Sequence, residues 1–545
     1  MVALLALLPL AASATADTVV GATTGAMDGH IDERLRYRLE VARRDADQRG
    51  AVLPVHAQAA IQRFYLERNF APAWVVGDGA AARALFALLA EAGQHGLRPE
   101  DYGLAQLKAD FAQRERLALP ARVDLELRSS DAALLYASHL QAGRVSPQTV
   151  DAEWFVERRG GEIVAPLNAA LQGRDPGADL GAAFARWVPR DPRYGRLQSA
   201  LAAARAQADA RPGGSVLPDS PTLRENDSHP AVAALRQRLG PPAAEPGAQA
   251  LFDAALAEAL RAYQARHGLD ADGVLGAQTR RALNRSPSAL IDLLRVNLER
   301  WRWMPEQLEG RRIEVNIPAF TLRALDEGGE ALQMPVIVGR AYRRTPVFTG
   351  RISYLVLNPY WEVPQSIVHK DLLPKFRQDP GLARSMGFEV LQGWGAAQQQ
   401  VPEVDWSRYG GERRFPYRLR QRPGPQNAMG RVKFMFPNPH AVYLHDTAHP
   451  ELFAKSVRTM SSGCVRVADP RALYQWLTGS LEGWPERYDE PLDRSRNLRN
   501  PPAVHLQYWT AWVDAEGLLH TRPDVYNRDG PVLEALNAPP PAIAP

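Results

Sequence analysis

The apolar residues of this chain change period near residue 310, and that change limits what it can fold into. From about Val52 to Leu201 they recur at helical spacing, as in Ala60-Ile61-Phe64-Tyr65 and Ala133-Leu134-Ala137-Leu140, with few β-branched runs. That spacing predicts an all-helical segment over 50–210. Beyond 310, IEVNIPAFTLRAL, MPVIVGR, ISYLVLNPYWEVP, VKFMFPN and AVYLH alternate or run β-branched, with Pro and Gly punctuating them at short intervals. These read as strands of a mostly β domain over 310–530. Helical and strand periods cannot share one element, and 545 residues exceed what one core sustains. The expected fold class is multidomain α+β: a helical scaffold, a small three-helix domain, and a mostly β domain carrying a helical lid insertion.

Between the blocks, Arg211 to Thr222 reads RPGGSVLPDSPT, and a linker is expected over 211–228. Residues 229–287 form a compact helical unit. HPAVAALRQRLG places Val232, Leu235 and Leu239 on one face and ends at a capping glycine. FDAALAEALRAYQARHGL places Leu256, Leu260 and Tyr263 on another, and the Asp270–Gly273 turn leads to Thr279 and a last helix. Inside the β block, 365–426 is a long polar insertion with a helical start, SIVHKDLLPKFRQ; an insertion of that size reads as a lid. At the N-terminus, VALLALLPL followed by AASATA reads as a secretory signal over 1–16, too short to span a bilayer. A periplasmic location with no stable membrane span is expected, and 539–545 reads as a disordered tail.

Composition removes several function classes. Lys+Arg 65 against Asp+Glu 61 leave a net charge of +4, with Arg interleaved among acidic residues, so no nucleic-acid partner is expected. One cysteine, Cys464, cannot form an internal disulfide, a Cys-rich zinc site or an iron–sulfur cluster. His445 and His449 in HDTAH have the spacing of a zinc-peptidase helix, but Asp replaces the required Glu, a strand precedes and Pro450 follows, so no metal is expected. His449 and His369 read as solvent-facing loop histidines. Trp301 and Trp303 read as packing residues, while Tyr360 and Trp361 suit packing and cleft lining equally.

The neighbours of Cys464 point to chemistry. Tyr443 to Val467 reads YLHDTAHPELFAKSVRTMSSGCVRV: His445 ends a strand, and Cys464 follows nineteen residues later in the loop Ser461-Ser462-Gly463-Cys464. A thiol attacks a carbonyl only as thiolate, and with an ordinary pKa of about 8.5 it needs a base. Gly463 lets the backbone turn tightly and approach a substrate, leaving main-chain N–H groups for an oxyanion.

HDT followed by SSGCVRV resembles the L,D-transpeptidase (YkuD-type) catalytic domain, whose pattern is His-[Gly/Asp]-Thr and then Ser-x-Gly-Cys-[Val/Ile]-Arg. The resemblance extends over Ile313 to Asp529, including NPYWEVPQSI and GPQNAMGRVKFMFPN. Within 229–287, YQxxHGLxxDGxxGxxTxxAL resembles a helical peptidoglycan-binding family, and the order of the three parts is similar to the large, YcbB-like subgroup. The resemblance implies Cys464 as nucleophile and His445 as general base, oriented by a main-chain carbonyl. It implies oxyanion or substrate-positioning roles for Tyr443, Gly463 and Ser462, and a structural or substrate-carboxylate role for Arg466. Asp446 stands where many relatives have Gly, and Ala448-His449 follow where the subgroup often has Pro.

The implied reaction is acyl transfer on peptidoglycan without a cofactor. Cys464 attacks the carbonyl joining the L-centre of a diamino acid to a terminal D-Ala, releases D-Ala and holds a thioester, which an amine of another stem takes up as a 3-3 cross-link. Carbapenem-type β-lactams are implied to acylate Cys464. The implied partners are peptidoglycan stem peptides and glycan, with other cell-wall synthesis enzymes alongside. The same residues suit an L,D-carboxypeptidase-type hydrolase and a lipoprotein-to-peptidoglycan transferase; a non-catalytic cell-wall binding protein would need neither Cys464 nor His445.

Overall fold

The computed structural model describes residues 30–49, 55–210, 216–243, 247–306, 308, 310–410, 414–488 and 493–542. The signal expected over 1–16, residues 211–215 of the linker and 543–545 of the tail lie outside them. No helix among the described residues is long and apolar enough to cross a membrane.

Up to Ala210 the elements are helical. The helix Leu119–Ala142 is buried along most of its length, so its polar side chains need internal partners. Glu126 has them: it accepts the N–H groups of Ala73, Trp74 and Val75 and the Tyr65 hydroxyl.

Helices Pro230–Leu239, Ala254–Arg266 and Ala277–Leu283 make the small domain, closing on Val232, Leu235, Leu256 and Leu260. Gln264 staples its turn, since Oε1 accepts from Gly273 N–H at 2.8 Å while Nε2 donates to Asp272 at 2.8 Å and to the Val274 carbonyl at 3.0 Å. Residues 216–228 are a correction to the expected linker. Leu217 and Leu223 are buried in this same core, Leu217 N–H donates to Asn284 Oδ1 at 2.7 Å, and Leu223 bridges to Leu275. The stretch is rich in Pro and Gly, but its two leucines fill the small domain.

The helix Pro287–Trp303 joins the helical half to the sheet. From Leu294 onward every residue of it is buried, because it is shared core and has no solvent face. Trp303 meets Trp154 of the scaffold edge-on at 4.9 Å and Trp301 stacks on Trp509 at 4.5 Å, both packing contacts. Its charges are paired: Glu299 binds Arg302 and accepts Val145 N–H at 2.7 Å, and Arg302 donates to the His95 carbonyl at 2.7 Å.

The β half runs β1 (Arg312–Asn316), β2 (Thr321–Asp326), β3 (Gly329–Gly339), β4 (Phe348–Arg351), β5 (Tyr354–Leu357), β6 (Trp361–Glu362), β7 (Phe388–Gln392), β8 (Gln399–Gln400) and β9 (Arg418–Gln421). It continues with β10 (Val432–Met435), β11 (Leu444–His445), β12 (Thr459–Ser461), β13 (Val465–Val467), β14 (Arg494–Asn497), β15 (Ala503–Gln507), β16 (Ala511–Val513) and β17 (Leu519–Thr521). Among the described residues eleven strands form one sheet, ordered β14-β5-β10-β11-β13-β3-β2-β1-β15-β4, with β12 beside β3. Alternation sends Ile313, Val315, Leu322, Val336, Phe434, Leu444, Val465 and Leu506 into the core, leaving the opposite face for polar side chains. The architecture is multidomain α+β, as the periodicity requires.

The insertion is more than a polar lid with a helical start. β6, β9, β7 and β8 form a separate four-stranded sheet over a core of Val368, Phe376, Trp406, Phe415 and Leu419. Its strands are short and rich in Arg and Gln, so no two-residue pattern marks them. His369 is a second correction: it is half-buried on a π-helical turn, Val368–Leu372, and its Nε2 accepts the Phe415 N–H at 3.3 Å. It braces the insertion from within, with only part of the ring left to solvent.

Candidate active site

β10, β11 and β13 lie side by side, with Lys433 opposite His445 and His445 opposite Arg466. Val465 N–H donates to the Tyr443 carbonyl at 3.1 Å, which carries the pairing back to Tyr443. Side chains two residues apart share a face. Lys433, His445 and Arg466 therefore share one face of the sheet, and Tyr443 and Cys464 sit immediately before β11 and β13.

Cys464 is half-buried. Its Sγ donates to the Ala441 carbonyl at 3.7 Å. Ala441 sits at φ 53° in a turn held by Asn438, whose Nδ2 donates to the Val442 carbonyl at 2.7 Å and whose Oδ1 accepts His440 N–H at 3.0 Å. Strain of this kind persists only where the surroundings enforce it, and here it aims a carbonyl at the thiol. Burial pushes the thiol up to about 11, although the N–H and hydroxyl of Tyr443 favour the thiolate.

His445 is 2% exposed, and its Nδ1 lies 2.6 Å from the Asp446 carbonyl. A carbonyl only accepts, so Nδ1 carries the proton and Nε2 is left as the base. Burial first, and Arg466 second, press this imidazole down to about 3, against the carbonyls of Asp446 and Ala428. Burial thus disfavours the charged form of both groups, the thiolate of Cys464 and the imidazolium of His445. Alkylation of Cys464 by iodoacetamide, followed by intact mass, is expected to climb about tenfold per pH unit between about pH 6 and 9, as the thiolate fraction does below its pKa. A rate plateau starting near pH 5 would instead reveal a thiolate–imidazolium pair.

Two expected oxyanion contributors are placed otherwise. Gly463, at φ 118°, donates its N–H to Ser461 Oγ at 3.1 Å, and its carbonyl accepts from Thr345 Oγ1 at 2.8 Å. Its turn is needed, but its N–H is taken. Ser461, to which the motif assigns no role, is the hub: its hydroxyl also donates to the Cys464 carbonyl at 2.5 Å. Ser462 is exposed and accepts from Arg343 Nη1 at 2.8 Å, while Arg343 pairs with Asp371 of the insertion. Ser462 thus belongs to the clasp that ties the insertion down.

Asp446 holds the start of β10. Its Oδ2 accepts Arg431 N–H at 2.8 Å and its Oδ1 accepts Thr447 N–H at 2.7 Å. Gly430 passes so close that a Cβ there would come within 2.2 Å of the Asp446 carboxylate, so the acidic residue and the glycine accommodate each other. His449 lies in a loop, paired with Glu451 at 3.2 Å, and HDTAH is a strand end and not a helix. No sequence signal marks Lys433. Only the strand pairing, between residues distant in the chain, places it opposite His445.

Residues 310–492 match the family model of the L,D-transpeptidase catalytic domain, 228–283 that of a "Putative peptidoglycan binding domain", and 59–201 that of a scaffold domain. A curated Haemophilus influenzae protein named "Putative L,D-transpeptidase" is 35% identical over 247 residues, 44% of this chain and 49% of that protein. The match therefore spans about half of that relative's length. Among solved structures, an L,D-transpeptidase from Xylanimonas cellulosilytica is 17% identical over 53% of this chain and 99% of its own, with a TM-score of 0.16. One from Stackebrandtia nassauensis is 13% identical over 52% and 97%, with a TM-score of 0.21.

Proposed function

We propose that this chain, which carries an L,D-transpeptidase catalytic domain at 310–492 and a peptidoglycan-binding domain at 228–283, forms 3-3 cross-links between peptidoglycan stems through a thioester on Cys464, with release of D-Ala. The observation that carries this reading is that Cys464 immediately precedes β13, whose neighbour β11 ends in His445, with the His445 Nδ1 proton directed to the Asp446 carbonyl. Sγ attacks the carbonyl of the diamino acid's L-centre while Nε2 takes the thiol proton. The imidazolium passes that proton to the D-Ala nitrogen, the C–N bond breaks, and the thioester remains. A side-chain amine of a second stem then attacks, His445 takes its proton, and the thiol leaves protonated.

The choice of amine over water requires a shielded site. The insertion supports this: it is a folded body clasped beside the SSGC loop by Arg343 and, at 4.0 Å, by Arg340, both on Asp371. In this reading the peptidoglycan-binding domain keeps the enzyme on its polymer in the periplasm, and carbapenems add to Cys464.

The test is mass spectrometry of the purified chain incubated with a tetrapeptide muropeptide. Loss of D-Ala, an adduct on Cys464 and cross-linked dimer are expected. Monomeric tripeptide alone would make the chain a hydrolase, and absence of any adduct or released D-Ala would overturn the reading.

A further inference from the structure

We infer that Phe155 of the scaffold is a positioning residue for Cys464: its ring fixes the His440 side chain and, through it, the turn whose Ala441 carbonyl accepts the Cys464 S–H. The chemistry it serves rests on the transpeptidase reading above. The helical half then contributes to the active site as well as supporting it.

Phe155 is placed by its neighbours in the chain. Trp154 is 1% exposed and packs edge-on against Trp303, which anchors this stretch in the shared core. On either side of it the backbone joins the catalytic domain. Val347 N–H donates to the Glu153 carbonyl at 2.9 Å and Phe155 N–H donates to the Val347 carbonyl at 2.8 Å, a parallel bridge at the entry to β4. The Glu153 carboxylate accepts from Arg528 at 2.7 Å. The backbone of Phe155 is thus fixed, while its ring is 46% exposed, so that removing the ring opens no large cavity.

What the ring touches is the turn beside the nucleophile. It stacks on His440 with centroids 4.1 Å apart and planes 30° apart, and Phe348 of β4 meets the same imidazole at 4.9 Å. His440 is therefore held by one aromatic from each half of the molecule. The next residue is Ala441, at φ 53°, a conformation that an L-residue keeps only under constraint. Asn438 constrains the backbone of the turn from inside; the stack on His440 constrains it from outside. The result is a carbonyl 3.7 Å from Sγ, which holds one orientation of the thiol.

The same bridge leads to the other side of the nucleophile. Two residues before Val347, the Thr345 hydroxyl donates to the Gly463 carbonyl at 2.8 Å and accepts Gly339 N–H at 2.9 Å. The Tyr526 hydroxyl accepts Thr345 N–H at 3.2 Å and donates to the Gly339 carbonyl at 2.6 Å. The scaffold stretch 153–155 therefore borders both turns between which Cys464 is set, the Ala441 turn through a ring and the Gly463 loop through backbone. The ring contact can be removed without breaking any of these hydrogen bonds.

The experiment uses the full chain and compares Phe155→Ala with Phe155→Tyr, which keeps the ring. Phe155→Ala is expected to slow single-turnover D-Ala release from a saturating tetrapeptide stem about tenfold, part of what an ångström of misplacement costs, with half-saturation unchanged. Iodoacetamide alkylation of Cys464 should move the other way. It is expected to rise about two- to threefold at a given pH, because a hydrogen bond to the neutral thiol opposes ionisation and the low end of a hydrogen bond's worth is that large. Phe155→Tyr should match the wild type in both, and the thermal midpoint of either variant should stay within a few degrees. Release unchanged by Phe155→Ala, alkylation not raised, or Phe155→Tyr as slow as Phe155→Ala would overturn the positioning role, as would a slowing that tracks a large fall in thermal midpoint. If the wild type releases no D-Ala, the transpeptidase reading fails, and the alkylation rates by themselves then decide whether Phe155 positions the thiol.

Discussion

Cys464→Ala is expected to abolish the thioester and to cut D-Ala release by at least about 10⁴-fold, the scale of losing a nucleophile from a cooperating catalytic set. Cys464 is the sole cysteine, so no other thiol stands in. An alanine leaves His445 its Asp446 contact, because that bond is made by backbone one residue away, and the site should keep its shape while losing its chemistry. His445→Ala should behave differently. At neutral pH it loses about 10²–10⁴-fold, because a thiol held near 11 is left without a base. As the pH rises toward that value, solvent hydroxide deprotonates the sulfur and the deficit shrinks. Single-turnover D-Ala release across pH separates the two variants; undiminished release by Cys464→Ala would remove it as nucleophile.

Glu299→Ala is expected to have the largest effect on stability, about 3–5 kcal/mol. Glu299 and Arg302 are each 0% exposed on the helix shared by scaffold and sheet. Removing the carboxylate strands a guanidinium where water cannot reach it, and also takes the acceptor from Val145 N–H. Glu299→Leu combined with Arg302→Met should cost less than Glu299→Ala, since no charge is then left unmatched. Denaturant midpoints measure both. A double variant less stable than Glu299→Ala would mean that the pair stabilises beyond the desolvation it offsets.

Local features of the site are legible in the residues alone. HDT and SSGC single out the residues proposed as base and nucleophile, and the carbonyl that His445 Nδ1 meets belongs to the same motif. Residues 216–228 read as linker because composition does not reveal that Leu217 and Leu223 fill a neighbouring core. The insertion reads as a polar lid because strands of two to five residues built from Arg and Gln carry no period. The Gly463 N–H reads as an oxyanion donor because its actual partner, Ser461 Oγ, depends on how the loop turns.

The sequence by itself determined the fold class and singled out the candidate site, because hydrophobic period and reactive side chains are properties of short stretches. Tertiary structure alone decided the burial of His445 beside Cys464, the clasp on the insertion and the approach of Lys433 and Arg466 to His445. Those depend on burial and on strand register, which are set by residues far apart in the chain and come together only when the sheet closes.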